Sequence, residues 1–418
     1  MTNQTRYLVV GSSHAALEAV TAIRMHDPEG GLTLVTRDSH LPYSPTVLPY
    51  VVSGRSAPER VFLRSDEFFT AQRVDYQPGK ALAKLDTQSN KAQLADGSEV
   101  HYEKLLLATG ASPAIPPIPG LDTVKYHVLR TLDDALKLKA AIAASKQAVV
   151  LGGGLVGMHA AENLVAAGAK VTVVEMQDQV LGGYFDRQAA GFIERAFTEH
   201  GARIVTGRRV VGLAPAATGA TISLEGGDTL EADLLLVATG VKPDLGYLAG
   251  SGVAAAQGIC VDNAMRTNIA NIWAAGDCAQ AKDFYRDAIT MNAILPDATE
   301  QGRIAGMAMA GDPGRKDYPG GVSLNTYHFF GRHAISVGTG VVPEGGIEKL
   351  RVDEANGRYL RAIFKDGRLQ GIFGIGEFFD GGVMWQLILR RVDLTDAIER
   401  LVADPLATGR EFMSRLWR

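Results

Sequence analysis

The chain has 418 residues, too many for one ordinary core, so two or three domains are expected. Its 46% hydrophobic and 21% charged residues describe an ordinary globular protein, and a formal net charge of -4 leaves no basic surface for nucleic acid. Two distant cysteines, Cys260 and Cys278, build neither a disulfide framework, a zinc site nor an iron–sulfur cluster.

No signal-peptide pattern opens the chain and no apolar run of about 18 residues marks a membrane span, so a cytoplasmic location is expected. Arg6 to Val10 reads as a short apolar strand. Gly11-Ser12-Ser13-His14-Ala15-Ala16 follows as a tight turn, then Leu17 to Met25 as a helix stopped by Asp27-Pro28. Leu32 to Val35 is the return strand of a βαβ unit. Leu105 to Leu107 is a buried strand ending in a tight turn at Ala108-Thr109-Gly110.

The βαβ device then recurs. Ala148 to Leu151 is its strand and Gly152-Gly153-Gly154-Leu155-Val156-Gly157 its turn; Met158 to Ala167 is its helix, Gly168 the cap and Val171 to Glu175 the return strand. G-x-G-x-x-G between strand and helix, with an acid about 20 residues on, is a dinucleotide-binding fingerprint. Gly152 makes the turn, Gly154 lets the backbone approach a pyrophosphate, and Gly157 allows tight helix–strand packing. Glu175 suits the hydroxyls of an adenosine ribose and repels a 2′-phosphate, so NAD is expected over NADP. In the first copy Ser13 and Ala16 stand at the second and third glycine positions, and such a turn also serves plain βα packing.

Leu234 to Val237 followed by Ala238-Thr239-Gly240 nearly duplicates the 105–110 segment. In Ile272-Trp273-Ala274-Ala275-Gly276-Asp277-Cys278-Ala279 the acid follows a strand and a glycine, placed to hold a ribityl hydroxyl. Cys278 reads as a buried structural thiol there, and Cys260 as a strand residue. Lys365-Asp366-Gly367-Arg368 reads as a hairpin turn, and Met384 to Arg391 and Leu394 to Val402 as helices.

The order of these motifs resembles the two-dinucleotide-binding-domain flavoproteins, the pyridine nucleotide–disulfide oxidoreductase superfamily, over essentially the whole chain. The resemblance implies an α/β fold with two Rossmann-type domains: a discontinuous FAD domain at 1–115 and 245–325, with an NAD domain inserted at 116–244. An α+β interface domain would follow at 326–418. It implies FAD against Gly11, Ser13, His14, Ala15, Arg37, Pro45, Thr46, Ala81, Ala108, Thr109, Gly110, Arg130, Gly276, Asp277 and Ala298. It implies NAD against Gly152, Gly154, Leu155, Val156, Gly157, Glu175, Ala238, Thr239 and Gly240.

The chain also departs from its relatives. Thr46 stands where many carry a redox cysteine, and a hydroxyl forms no sulfenate or mixed disulfide. Coenzyme A disulfide reductase, NADH peroxidase and thioredoxin reductase activities are therefore not expected, and hydride passes directly between nicotinamide and flavin with no catalytic side chain. Thr36-Arg37-Asp38 replaces the usual ribose acid, leaving Asp38 in a shifted register, Arg37 along the adenine or phosphates, or a solvated turn as readings. His159, where relatives often place a glutamate, either tunes the flavin or packs on its helix, and packing is favoured. Arg130 is a flavin contact or a surface ion pair; Asp297 opens a helix aimed at the flavin pyrimidine or merely caps it. The aromatic stretch Phe378 to Trp385 faces a partner or packs a core, with core packing favoured.

Tyr7 to Ala15, Leu41 to Gly54 and Leu155 to Glu162 resemble, more narrowly, the FAD-containing, NAD-reducing subunits of the phenylglyoxylate dehydrogenase (acylating) family of multisubunit 2-oxoacid oxidoreductases. That resemblance implies partner subunits carrying iron–sulfur clusters and thiamine diphosphate, with electrons flowing through FAD to NAD+. The alternatives are a free-standing NADH-dependent reductase of ferredoxin or rubredoxin, and a flavin-binding assembly module with an inactive NAD site.

Overall fold

The computed structural model describes residues 3–416; Met1, Thr2, Trp417 and Arg418 lie outside the described residues. The chain divides into two compact units, one of Met1–Leu48, Ser56–Ser112 and Val241–Gly321, the other of Pro49–Arg55, Pro113–Gly240 and Val322–Arg418.

In the first unit a parallel sheet runs in the order Val74–Gln77, Leu32–Val35, Asn3–Val10, Glu99–Leu107, with Ile272–Ala274 also on Glu99–Leu107. Leu82–Asp86 and Lys91–Leu94 extend it antiparallel. Leu32, Thr33, Leu34 and Val35 are all buried, as expected of a parallel strand covered on both faces. The helix His14–His26 buries Ala15, Ala16, Ala19, Val20 and Ile23, a stripe at helical spacing. It packs along the helix Leu295–Ala310 at very short range. A Cβ on Gly302 would stand 2.1 Å from the Ala15 carbonyl oxygen, and one on Gly306 2.5 Å from that of Ala19.

The second unit holds a four-stranded parallel sheet in the order Arg203–Val205, Lys170–Val174, Gln147–Leu151, Leu234–Val237. It also holds a three-stranded antiparallel ribbon, Val210–Ala216, Gly219–Leu224 and Thr229–Ala232. Leu324–Phe329 opens a five-stranded antiparallel sheet whose central hairpin pairs Arg358–Lys365 with Arg368–Ile375. Asp366 (φ 49°) and Gly367 (φ 71°) make that turn, as the sequence predicts.

Both helices after the glycine motifs begin earlier than their apolar pattern suggests, at His14 and at Leu155, because the turns are shorter than the motifs. The last helices differ too. Gly381–Leu389 stops where Arg391 takes φ 51°, and a 3-10 turn at Thr395–Ala397 precedes Ile398–Ala403. A further helix, Pro405–Leu416, has no counterpart in the sequence reading.

Candidate functional site

The first unit gathers its motifs around Gly11. That residue takes φ 114°, its N–H donates to the Val35 carbonyl at 2.8 Å, and a Cβ there would stand 2.1 Å from the Ala108 oxygen. Only glycine fits both the dihedral and the approach. Ala108 in turn donates to the Val10 carbonyl at 2.8 Å, so the Ala108-Thr109-Gly110 turn lies beside the glycine turn. Ser13 is the N-cap of the His14–His26 helix yet does not cap it, since its hydroxyl donates to the Tyr43 carbonyl at 3.3 Å. No acidic residue occupies the first turn. The first N–H groups and the positive end of the helix dipole are therefore left for an anion.

Gly276 closes the same cluster, with φ 78° and its Cβ position 3.2 Å from Ala15 and 3.7 Å from Ala298. Asp277 beside it is half-buried and near enough to His14 to act on its charge. Burial, then Arg64, pushes the His14 imidazole below its usual range; it pairs with the Ser44 hydroxyl at 2.9 Å. Thr109 shares a hydrogen bond with the Tyr247 hydroxyl at 2.9 Å.

The remaining flavin candidates sit around this cluster. Thr46 is exposed and bonded to Ser44 at 2.7 Å, in the 3-10 turn that Pro45 begins. Arg37 donates to the Ser112 hydroxyl at 3.2 Å. The Asp38 carboxylate accepts from the Tyr43 hydroxyl and the His40 N–H, which ties down its own loop. The carbonyl of Ala81 is bonded to Ala95 N–H at 2.8 Å. Arg130 falls in the second unit instead, where its N–H donates to Asp134 at 3.1 Å.

The second unit repeats the device with glycines at all three places. Gly152 has φ 105° and its Cβ position lies 2.4 Å from the Ala238 oxygen. Gly157 is held 2.0 Å, Cβ position to oxygen, from the Gly152 carbonyl. Gly154 has nothing within 4 Å and serves as an N-cap without a side chain, again with no acid in the first turn, which Leu155 and Val156 begin. By contrast, Leu132–Ala144, Arg187–Glu199 and Gly381–Leu389 are capped by the side chains of Thr131, Asp186 and Asp380. Those three helices satisfy their own ends, although Asp66–Ala71 and Leu295–Ala310 also lack a side-chain cap. Glu175 is fixed at the end of its strand, accepting from Gly153 N–H at 2.7 Å and Gln177 N–H at 2.9 Å. Thr239 donates to the Ala114 carbonyl at 2.6 Å, and Gly240 at φ 105° is open.

His159 meets the Tyr327 ring edge-on at 4.6 Å, and burial, reinforced by His328 and Arg55, pushes it down to about 4. It is a neutral packing residue. Glu162, one turn on, accepts from the Phe330 N–H at 2.9 Å. Cys278 is fully buried, its thiol raised by burial and donating to the Leu107 carbonyl at 3.3 Å. Phe379 and Met384 are core and Trp385 donates to the Val322 carbonyl at 2.9 Å, whereas Phe378 is 68% exposed. Asp297 is not a cap: the helix begins at Leu295, its N-cap is Ile294, and Asp297 is buried. Among the described residues no helix is long and apolar enough to cross a membrane.

Two Rossmann-type sheets, each followed through a glycine turn by a helix with an uncapped N-terminus, define a two-site dinucleotide-binding oxidoreductase. The chain belongs to the pyridine nucleotide-disulphide oxidoreductase family, whose profile matches residues 5–304. It is 69% identical over 415 residues to the NADH-dependent phenylglyoxylate dehydrogenase subunit epsilon of Aromatoleum evansii, covering 99% of this chain and 98% of that one. It is 29% identical to the probable ferredoxin reductase CtmF of Castellaniella defragrans, over 94% and 95% of the two chains. Its fold is similar to a ferredoxin reductase structure from Rhodopseudomonas palustris, with TM-score 0.81 and 26% identity over 89% and 91%.

Proposed function

We propose that this chain is the FAD-bearing, NAD-reducing subunit of a cytoplasmic acylating 2-oxoacid dehydrogenase complex acting on phenylglyoxylate. It takes electrons from iron–sulfur subunits that are fed in turn by a thiamine-diphosphate subunit. The observation that carries the reading is 69% identity, end to end, with a dehydrogenase subunit of that name. The site chemistry supports it. The uncapped His14–His26 helix and the side-chain-free glycine turns at Gly11 and Gly276 suit the pyrophosphate of FAD, with Asp277 for a ribityl hydroxyl. The Leu155–Ala166 helix and Gly154 suit the pyrophosphate of NAD, and the fixed Glu175 carboxylate suits its ribose.

FAD, when bound, supplies the exchange between one-electron and two-electron chemistry. The chain's own residues position and exclude. Glu175 repels a 2′-phosphate, the helix ends hold diphosphates, and neither Thr46 nor the buried Cys278 offers a thiol relay. The test is reconstitution of the anaerobically purified complex with and without this chain. Without it, dye reduction persists and NAD+ reduction is lost; retained NAD+ reduction refutes the proposal. A yellow protein purifying alone and reducing ferredoxin would instead be a free-standing reductase.

A further inference from the structure

The third residue of the Leu295–Ala310 helix, Asp297, is 2% exposed. An acid in the first turn of a helix normally faces water and gains from the dipole. This one is enclosed, and its partners are neutral. The Asn292 amide donates to one carboxylate oxygen, and the Tyr318 hydroxyl is its other side-chain partner. Tyr318 accepts from Gln301 Nε2 at 3.3 Å, and Gln301 Oε1 accepts from the Gly276 N–H at 2.9 Å. A hydrogen-bonded chain thus runs from the buried carboxyl to the backbone of the Gly276-Asp277 turn.

The charges around Asp297 come from three directions, and none neutralises it. On its own helix Glu300 opposes its ionisation, while Arg303 is held by Glu300 at 2.6 Å. Gly321 lies against the carboxylate, its Cβ position 2.6 Å from Oδ2, and bridges to Asp283, whose charge is taken by Arg286 at 2.8 Å. Tyr318, itself buried, contributes a hydroxyl that stays protonated. Burial is the largest influence on Asp297 and lifts its carboxyl to about 7 despite two hydrogen bonds that favour the ionised form.

We propose that Asp297 is the proton-linked group of the flavin site, its carboxylate taking up one proton from solvent when the flavin held at the Gly276 turn is reduced. This rests on the FAD assignment made above. The balance is simple: reduction by two electrons with one proton would leave a flavin held there anionic, and a second proton, drawn from solvent, forms an O–H bond on Asp297. On reoxidation that proton returns to solvent. The physical drive is that negative charge arriving beside a buried, uncompensated carboxylate disfavours its ionised form.

The experiment is spectroelectrochemical titration of the purified holoprotein against pH, using the wild type, Asp297→Asn and Tyr318→Phe. Each linked proton adds about 30 mV per tenfold change in proton activity to a two-electron couple. The wild type is expected to show an extra-steep segment starting near pH 7, about 30 mV per pH unit steeper than in Asp297→Asn. Tyr318→Phe keeps the carboxyl but removes a bond to its ionised form, so the segment starts at higher pH. Infrared difference spectra on reduction should show a protonated carboxyl appearing in the wild type and missing in Asp297→Asn. Identical slopes in all three proteins, or no carboxyl signal, overturn the proposal. Mediators supply the electrons, so failure to assemble with dehydrogenase subunits leaves this test intact, whereas a chain unable to take up FAD sinks both readings.

Discussion

Gly154 and Gly157 lie three residues apart in one motif, yet the structure predicts opposite consequences for replacing them with alanine. At Gly157 the new methyl would stand 2.0 Å from the Gly152 carbonyl and 3.3 Å from Val150, inside packed backbone. Such overpacking costs about 1–3 kcal/mol. Thermal unfolding should fall by roughly 2–4 °C per kcal/mol for a unit of this size. At Gly154 the backbone is extended, φ -78°, with nothing within 4 Å, so only the loss of a glycine N-cap is felt, less than about 1 kcal/mol. There the methyl enters the space a pyrophosphate needs. Losing one or two charge-assisted hydrogen bonds to the helix end, about 1.5–3 kcal/mol, weakens NADH binding about 10- to 150-fold. Differential scanning calorimetry and NADH titration of both variants decide it. Gly154→Ala with a melting point as low as Gly157→Ala, or with unchanged NADH affinity, would refute the assignment of that open space to a phosphate.

Glu175→Gln removes the charge and keeps only one acceptor oxygen, so one of the two N–H contacts from Gly153 and Gln177 is retained, and the preference for NADH over NADPH should fall about tenfold or more in kcat/KM ratios. Native protein at neutral pH should lose no activity to iodoacetamide, and peptide mapping should find Cys278 unmodified, because its thiol is buried and raised; Cys278 alkylation in the folded protein would contradict this. His159 titrates near 4 when folded against about 6.5 unfolded, so the unfolded chain binds the extra proton between those values. Its contribution of about 3 kcal/mol is complete above pH 6.5 and is lost as pH falls towards 4; His159→Gln should flatten denaturation midpoints across that window.

Both βαβ units were legible because their signal is local. An apolar strand such as Tyr7–Val10, a glycine turn, a helix and a return strand lie within about 30 residues, and the hairpin at Asp366-Gly367 is two adjacent residues. What escaped the reading depends on residues far apart. Asp297 read as the opening or the cap of its helix because it directly follows Pro296, whereas its burial is set by Tyr318 and Gly321 arriving from beyond the end of the helix. Asp38 read as a ribose candidate because nothing in Thr36-Arg37-Asp38 shows that the Tyr43 hydroxyl folds back onto it. One usable signal lay in view. Gly154 has no side chain to cap with, and neither first turn carries an acid, so both helix ends advertise an unmet need for anions.

The imperfect first fingerprint follows from where close contact is needed. In the second unit Gly157 must admit the Gly152 carbonyl, and no methyl fits. In the first, Ala16 is fully buried at the matching place, so the His14–His26 helix stands far enough off its strand for one methyl. Its tight face is turned to the Leu295–Ala310 helix instead, where Gly302 and Gly306 admit the carbonyls of Ala15 and Ala19. The glycine requirement has moved to the partner helix rather than disappeared. That approach holds Ala298 beside Gly276, and so sets the buried carboxyl of Asp297 one residue from the turn that its hydrogen-bond chain reaches. A motif search on residues 11–16 alone sees a degraded site, while the packing shows the same close approach maintained by a segment nearly 300 residues away.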